Sequence, residues 1–230
     1  MKKIFYLILF FCISTKMESQ QIPFTKPDYE LIKKNIADKS SNFYYPKLQK
    51  RLVEMDTLLT KEEFRHLYFG YVFQKKYNSS WQSPVQKELE FFYKLPKIEA
   101  KDHEKIIKLL DKSILDFPFD LQSYNFLYFI VAQTGDNDQA MKISKITQGL
   151  FGAILSSGDG RTCETGFHVL TVAHEYALLN LFELRSMAQS LVGNCDYLSF
   201  EKGKYKIEGL FFDIEKMREN QKQNLEKKFK

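Results

Sequence analysis

Tryptophan occurs once in the 230 residues, at Trp81, proline six times and glycine ten times. So few turn residues argue against a meander of many short strands, and packed helices suit the composition better. Charges of both signs are interspersed with no block of five alike, which excludes the basic footprint of a nucleic-acid binder. Histidine is also scarce, at four. His168 and His174 are six positions apart, about 600° around a helix, so they face well apart, unlike the i, i+4 pair with an intervening glutamate of a zinc helix. No metal or cofactor is expected, and no nucleophile and base stand at a catalytic spacing. Long apolar runs are missing too. The longest, Ile4 to Ile13, is half of the roughly 20 residues that a bilayer requires.

What that run does fit is a secretory leader, because Met1, Lys2 and Lys3 give it a positive start. Cleavage near Ser19 leaves a chain that works outside the cytoplasm, in the periplasm or beyond. Loss of residues 1–19 removes three lysines and one glutamate, so the net charge falls from +5 to +3. A rival reading makes Cys12 the acylated first residue of a surface lipoprotein, the one route to a membrane. Bulky Phe11 just before it opposes that reading, since the processing enzyme prefers a small residue there.

The remainder, at 44% apolar for the whole chain, is ample for one core. Tyr29, Ile32 and Ile36 recur at helical spacing after Pro27, and Leu48, Leu52 and Met55 do so after Pro46. Thr60 and Glu63 form a capping box ahead of a stripe of Phe64, Leu67, Tyr68, Tyr71 and Val72. Ser83 and Pro84 open a helix with Val85, Leu89 and Phe92 that stops near Pro96. Further helices carry Ile106, Leu109, Leu110 and Ile114, then Leu121, Tyr124, Leu127, Tyr128 and Val131. Another with Ala140, Ile143, Thr147 and Leu150 follows Asp136, which with Gln139 has the spacing of a second capping box. Helix, proline break, helix, Gly-Asp turn and helix resemble a tetratricopeptide hairpin, although the first helix lacks that family's Trp and Gly.

Beyond the polar loop of residues 156–166, a helix is expected from about Cys163 to Asn180, burying Phe167, Leu170, Ala173 and Ala177. After Asn194 the period becomes two, with Tyr205, Ile207, Gly209 and Phe211 alternating with charged residues, which predicts a β-hairpin over about 195–214. Residues 215–230 read as a charged tail. The expected fold is mainly α: one domain over 20–214, built of tetratricopeptide-like stacked hairpins with a small C-terminal hairpin or three-stranded antiparallel sheet.

Candidate ligand-binding residues lie in that loop and helix. Asp159, Arg161 and Thr162 sit where a tight turn and helix N-terminal amides could hold an anion, although Asp159 would repel phosphate. His168, His174 and Glu175 could supply acid and base, against the plainer reading of histidines satisfied in a helix interface. Together these six outline an alternative hydrolase or small-ligand site. Cys163 and Cys195, the two thiols left after export, are candidates for a disulfide in an oxidising compartment. The ring-rich run Tyr68, Phe69, Tyr71, Phe73 and Tyr77 suits core packing better than ligand stacking, with Phe69 and Phe73 lying off the main stripe.

Several runs, Tyr45-Pro46-Lys47-Leu48, Arg65-His66-Leu67-Tyr68, Gly70 to Gln74, Gly158 to Thr162, Phe167-His168-Val169, His174-Glu175-Tyr176, Cys195 to Leu198 and Gly209 to Ile214, resemble an exported Bacteroidetes family, the domain of unknown function 4919. The resemblance implies a single exported domain and carries no catalytic residue with it. It also implies a glycine before Asp56, where this chain has Met55, a residue that disfavours a tight turn. Together these readings point to an exported, non-catalytic module whose partner is a protein or peptide.

Overall fold

The computed structural model describes residues 24–228. The leader, its cleavage near Ser19 and Cys12 lie outside the described residues. Nine helices run along the described chain: α1 (Tyr29–Ala37), α2 (Tyr45–Val53), α3 (Lys61–Gly70), α4 (Gln86–Tyr93), α5 (His103–Asp116), α6 (Leu121–Thr134), α7 (Asn137–Leu155), α8 (Val172–Leu181) and α9 (Glu215–Lys228). Four strands join them: β1 (Phe167–His168), β2 (Ser186–Val192), β3 (Cys195–Phe200) and β4 (Gly209–Asp213). The fold is mainly α with a small C-terminal sheet.

Local chemistry explains where the helices start. Thr60 accepts from the Glu63 amide while Glu63 accepts from the Thr60 amide, a complete capping box. Asp28, Asp120 and Asp136 cap α1, α6 and α7 in the same way, each accepting from the third residue on. At Asp136 the bond runs in one direction only, from the Gln139 amide.

The end of α2 is less expected. Met55 adopts φ 53°, its amide donates to Leu52 O, and the Asp56 amide donates to Arg51 O at 2.9 Å. That pair of bonds is a Schellman closure, normally built on glycine. The tight turn forms although methionine disfavours it, because Arg51 reaches forward to pair with Asp56 at 2.7 Å and with Glu63 at the start of α3.

Helices α5, α6 and α7 pack in succession, α3 lies on α7, α1 and α2 on α3, and α8 on α6. Gly149 of α7 sits so close to α3 that a Cβ there would meet the Phe64 ring within 2.2 Å, so the close approach requires a residue without one. Tyr68 and Phe69 are wholly buried and Tyr71 and Tyr77 nearly so, which makes that aromatic run core rather than a stacking surface.

The sheet departs from the expected hairpin. Its order is β1-β4-β3-β2, with β3 antiparallel to both neighbours and β1 parallel to β4 through Phe167↔Phe212 and His168↔Asp213. Helix α8 therefore begins at Val172, not Cys163, and Ala173 is exposed while His174 and Glu175 are buried. The spacing of Phe167, Leu170 and Ala177 imitates a helix face, but their burial comes from a strand, a crossing and a later helix. Residues 201–208 form the connection, so the alternation at Tyr205 and Ile207 is not strand. The charged segment after Ile214 is helical and docked: Met217 is buried, and Asn220 accepts from the Ser79 amide and donates to Tyr77 O.

Candidate functional site

The six residues singled out in the sequence divide among four separate settings. Asp159 and Thr162 belong to a loop closed on itself. The amides of Asp159 and Gly160 both donate to Thr165 O at 2.9 Å, and the Arg161 amide donates to the Asp159 carboxylate at 3.0 Å. A Cβ on Gly158 would lie 2.3 Å from Thr165 O, so only glycine permits this closure. The loop also terminates the sheet, since Gly160 O accepts from the Phe211 amide at 2.8 Å. Arg161 extends into solvent beside Asp159. Because the loop leads into β1 rather than a helix, it offers no helix N-terminal amides to an anion, which corrects that expectation for Asp159, Arg161 and Thr162.

His168, on β1, has Tyr29 Oη 3.4 Å from Nδ1 and the Asp213 carboxylate 3.7 Å from Nε2. Its Nε2 is buried without a hydrogen-bond partner. Burial lowers the imidazole's pKa, and Asp213 only partly offsets that. Tyr29 is in turn raised well above the ordinary phenol, first by burial and then by Asp213. Tyrosine, histidine and aspartate thus line up across α1, β1 and β4, a chain that sequence reasoning missed because its members are 139 and 45 positions apart.

His174 is saturated. Its Nδ1 accepts from Tyr68 Oη at 2.6 Å, and its Nε2 donates to Phe119 O at 2.8 Å. Burial pushes its pKa down to about 4, so the ring is neutral and locked in one tautomer. It pins α8 to α3 and to the turn between α5 and α6.

Glu175, the next residue on α8, points to the sheet instead. It has no exposure, and neither carboxylate oxygen has a hydrogen-bond partner. Burial, and then the Asp196 carboxylate, push its pKa up to about 9, so it is protonated at neutral pH. Asp196 on β3 accepts from Gln189 Nε2 at 2.7 Å, and Gln189 Oε1 accepts from Tyr176 Oη at 3.2 Å. Glu175, Asp196, Gln189 and Tyr176 thus form one polar seam between α8 and the sheet.

Cys163 and Cys195 are joined in a disulfide that ties the Gly158 loop to the start of β3, one residue from Asp196. His66 is also consumed structurally: Nδ1 donates to Glu62 O, Nε2 accepts from Asn35, and Phe43 stacks on the ring at 3.7 Å. No group of three or more metal-ligating side chains occurs among the described residues. Two surface clefts are lined by residues such as Lys75, Asn78 and Gln221, or Lys101, Lys105 and Lys112, and by none of the six. Among the described residues no helix is long and apolar enough to cross a membrane.

A different feature faces solvent. On α6, Phe129 is 52% exposed and stacks on Phe126, with ring centroids 6.2 Å apart; Phe126 in turn packs on Tyr93 of α4 at 4.9 Å. Tyr128, the preceding residue on α6, is exposed as well. An outward helix face is normally polar, so exposed Phe129, backed by the half-buried rings of Phe126 and Tyr93, offers a fixed apolar contact to a partner.

A family model described as Domain of unknown function (DUF4919) matches residues 30–223. No curated protein and no solved structure matches the chain.

Proposed function

The chain belongs to the family of the domain of unknown function DUF4919, and from that premise we propose that it is an exported binding module that engages a protein or peptide partner and catalyses no reaction. The observation that carries this reading is the exposed ring of Phe129 on α6, held in place by the half-buried rings of Phe126 and, through it, Tyr93 of α4. Aromatic side chains supply much of the energy at interfaces, and a solvent-facing ring already fixed by packing loses little freedom on binding. The residues with acid-base chemistry, by contrast, are held in separate buried partnerships: His174 by Tyr68 and Phe119, Glu175 by Asp196 and the protein interior.

Export is supported by the basic start and ten-residue apolar run at the N-terminus. The Cys163–Cys195 disulfide is consistent with it, since such bonds persist in oxidising compartments. Two measurements test the reading. The purified protein should have the mass of a chain cleaved near Ser19. In a pull-down from periplasmic and outer-membrane fractions, Phe129→Ala should lose the partner that the unaltered protein retains. Met141→Ala, at an exposed position on α7, should keep it. Equal recovery with Phe129→Ala would remove the ring chain from the account.

A further inference from the structure

Strand β2 carries the sheet beyond its helical cover. Ser186–Val192 reads Ser-Met-Ala-Gln-Ser-Leu-Val, seven residues with no charge and no proline in a chain that is 27% charged. Among the described residues it pairs only with β3, at the end of the sheet. Leu191 lies opposite Asp196 and Gln189 opposite Leu198, so both stand on the face where Glu175 and Tyr176 of α8 meet the sheet. Leu191 is nonetheless 57% exposed. Tyr176, bonded to Gln189, and Val172 one turn earlier are also exposed, as are Met187 and Val192.

The hairpin geometry shows which backbone groups are free. Gly193 and Asn194 make a two-residue turn with Gly193 at φ 63°, so Val192 and Cys195 are the closing, hydrogen-bonded pair. Alternation then turns the N–H and C=O groups of Leu191 and Gln189 toward the open edge. Edge strands of monomeric proteins are commonly blunted by lysine, proline or a covering segment. Among the described residues the only such device is an irregularity between Ser186 and Ala188, and Ala188 to Val192 pair regularly with β3 and with no other strand.

We propose that β2 is a self-association edge, pairing antiparallel about Ser190 with β2 of a second copy to make one eight-stranded sheet across a two-fold axis. In that register Gln189 meets Leu191 of the second copy in a hydrogen-bonding pair, and the reverse, while Ala188 meets Val192. A two-fold contact requires the strand to complement only itself, and a neutral strand brings no like charges together. The area is adequate. The exposed parts of Val172, Tyr176, Met187, Leu191 and Val192 come to roughly a few hundred Å² per copy, and with the strand backbones two copies approach the roughly 1,200 Å² where specific interfaces begin. This contact uses a different surface from the rings on α6 and α4 and does not depend on the partner proposed for them.

Analytical ultracentrifugation of the purified, disulfide-bonded protein over about 1 to 100 μM tests the proposal. The unaltered protein should sediment as a dimer at the upper end. Ser190→Lys and Ser190→Glu should each be monomers, since two like charges would meet at the axis, where opposed side chains approach most closely. An equimolar mixture of those two variants should recover a dimer. Leu115→Lys, at an exposed position on α5, should leave the dimer unchanged. A monomeric unaltered protein at 100 μM, or a mixture of the two Ser190 variants that stays monomeric, would overturn the proposal. A folding defect in either variant would show in its circular dichroism before mixing.

Discussion

Glu175 and Asp196 bring two carboxyl groups together between α8 and β3, one of them fully buried and without a hydrogen-bond partner. Two charges there would repel in a poorly solvated space, so Glu175 keeps its proton. The stability of this helix–sheet contact therefore depends on pH in a direction opposite to that of an ordinary salt bridge.

Glu175 is raised in the folded state, to about 9. Its contribution is therefore fully present below the unfolded glutamate value and is lost as pH rises through about 9. His174, lowered to about 4, acts oppositely: its contribution is present above the unfolded histidine value and lost as pH falls through about 4. Between pH 7 and 9 only the Glu175 effect operates of these two, and stability should fall by at most about 1.4 kcal/mol per pH unit. Glu175→Gln, which keeps the shape and cannot ionise, should flatten this slope in urea unfolding measured across that range. A slope equal to that of the unaltered protein would show that Glu175 is ionised when folded.

Met55→Gly should stabilise the protein. The left-handed backbone at φ 53° costs a residue with a Cβ roughly 1 to 2 kcal/mol, partly offset by the greater freedom of glycine in the unfolded chain. A gain of about 0.5 to 1 kcal/mol in chemical unfolding is expected. A loss would mean that Met55, half-buried against the core, contributes more by packing than its backbone costs.

Reduction should matter more than either change. The Cys163–Cys195 bond spans 32 positions, which the chain-entropy account rates at about 3 to 4 kcal/mol. The Cys163→Ser, Cys195→Ser double variant should lose about that much, and added dithiothreitol should then have no further effect on it. Continued sensitivity to the reductant would point to Cys12 in a chain that has kept its leader.

How much of this was legible in the sequence follows from which contacts are local. The Thr60 and Glu63 box, the Asp136 cap and the apolar spacing from Tyr29 to Leu150 depend on neighbours three or four residues away, and they give α1 to α7 closely, except that Ser83 and Pro84 do not open α4: Ser83 closes a turn on the Val85 amide and the helix starts uncapped at Gln86. β1 depends on pairing with β4, some 45 positions later, and two residues carry no period of their own. β2 shows no alternation of burial because six of its seven residues are exposed on both faces. The consecutive residues His174 and Glu175 are both buried because α8 is covered by α6 on one side and the sheet on the other, a sandwich visible only in the assembled fold. Tyr29, Asp213, Tyr68, Asp196 and Gln189, which complete these settings, have no local signal that links them to the histidines or Glu175.

The central claim is that this domain works by presenting a surface outside the cytoplasm. A photo-crosslinking residue placed at Phe129 in the chain expressed in its own cells tests it most directly, with the same residue at Leu115 as the reference. The account predicts a discrete higher-mass adduct in the exported fraction from position 129 and none from position 115. An unprocessed chain in the cytosol, or identical crosslinking patterns from both positions, would contradict it.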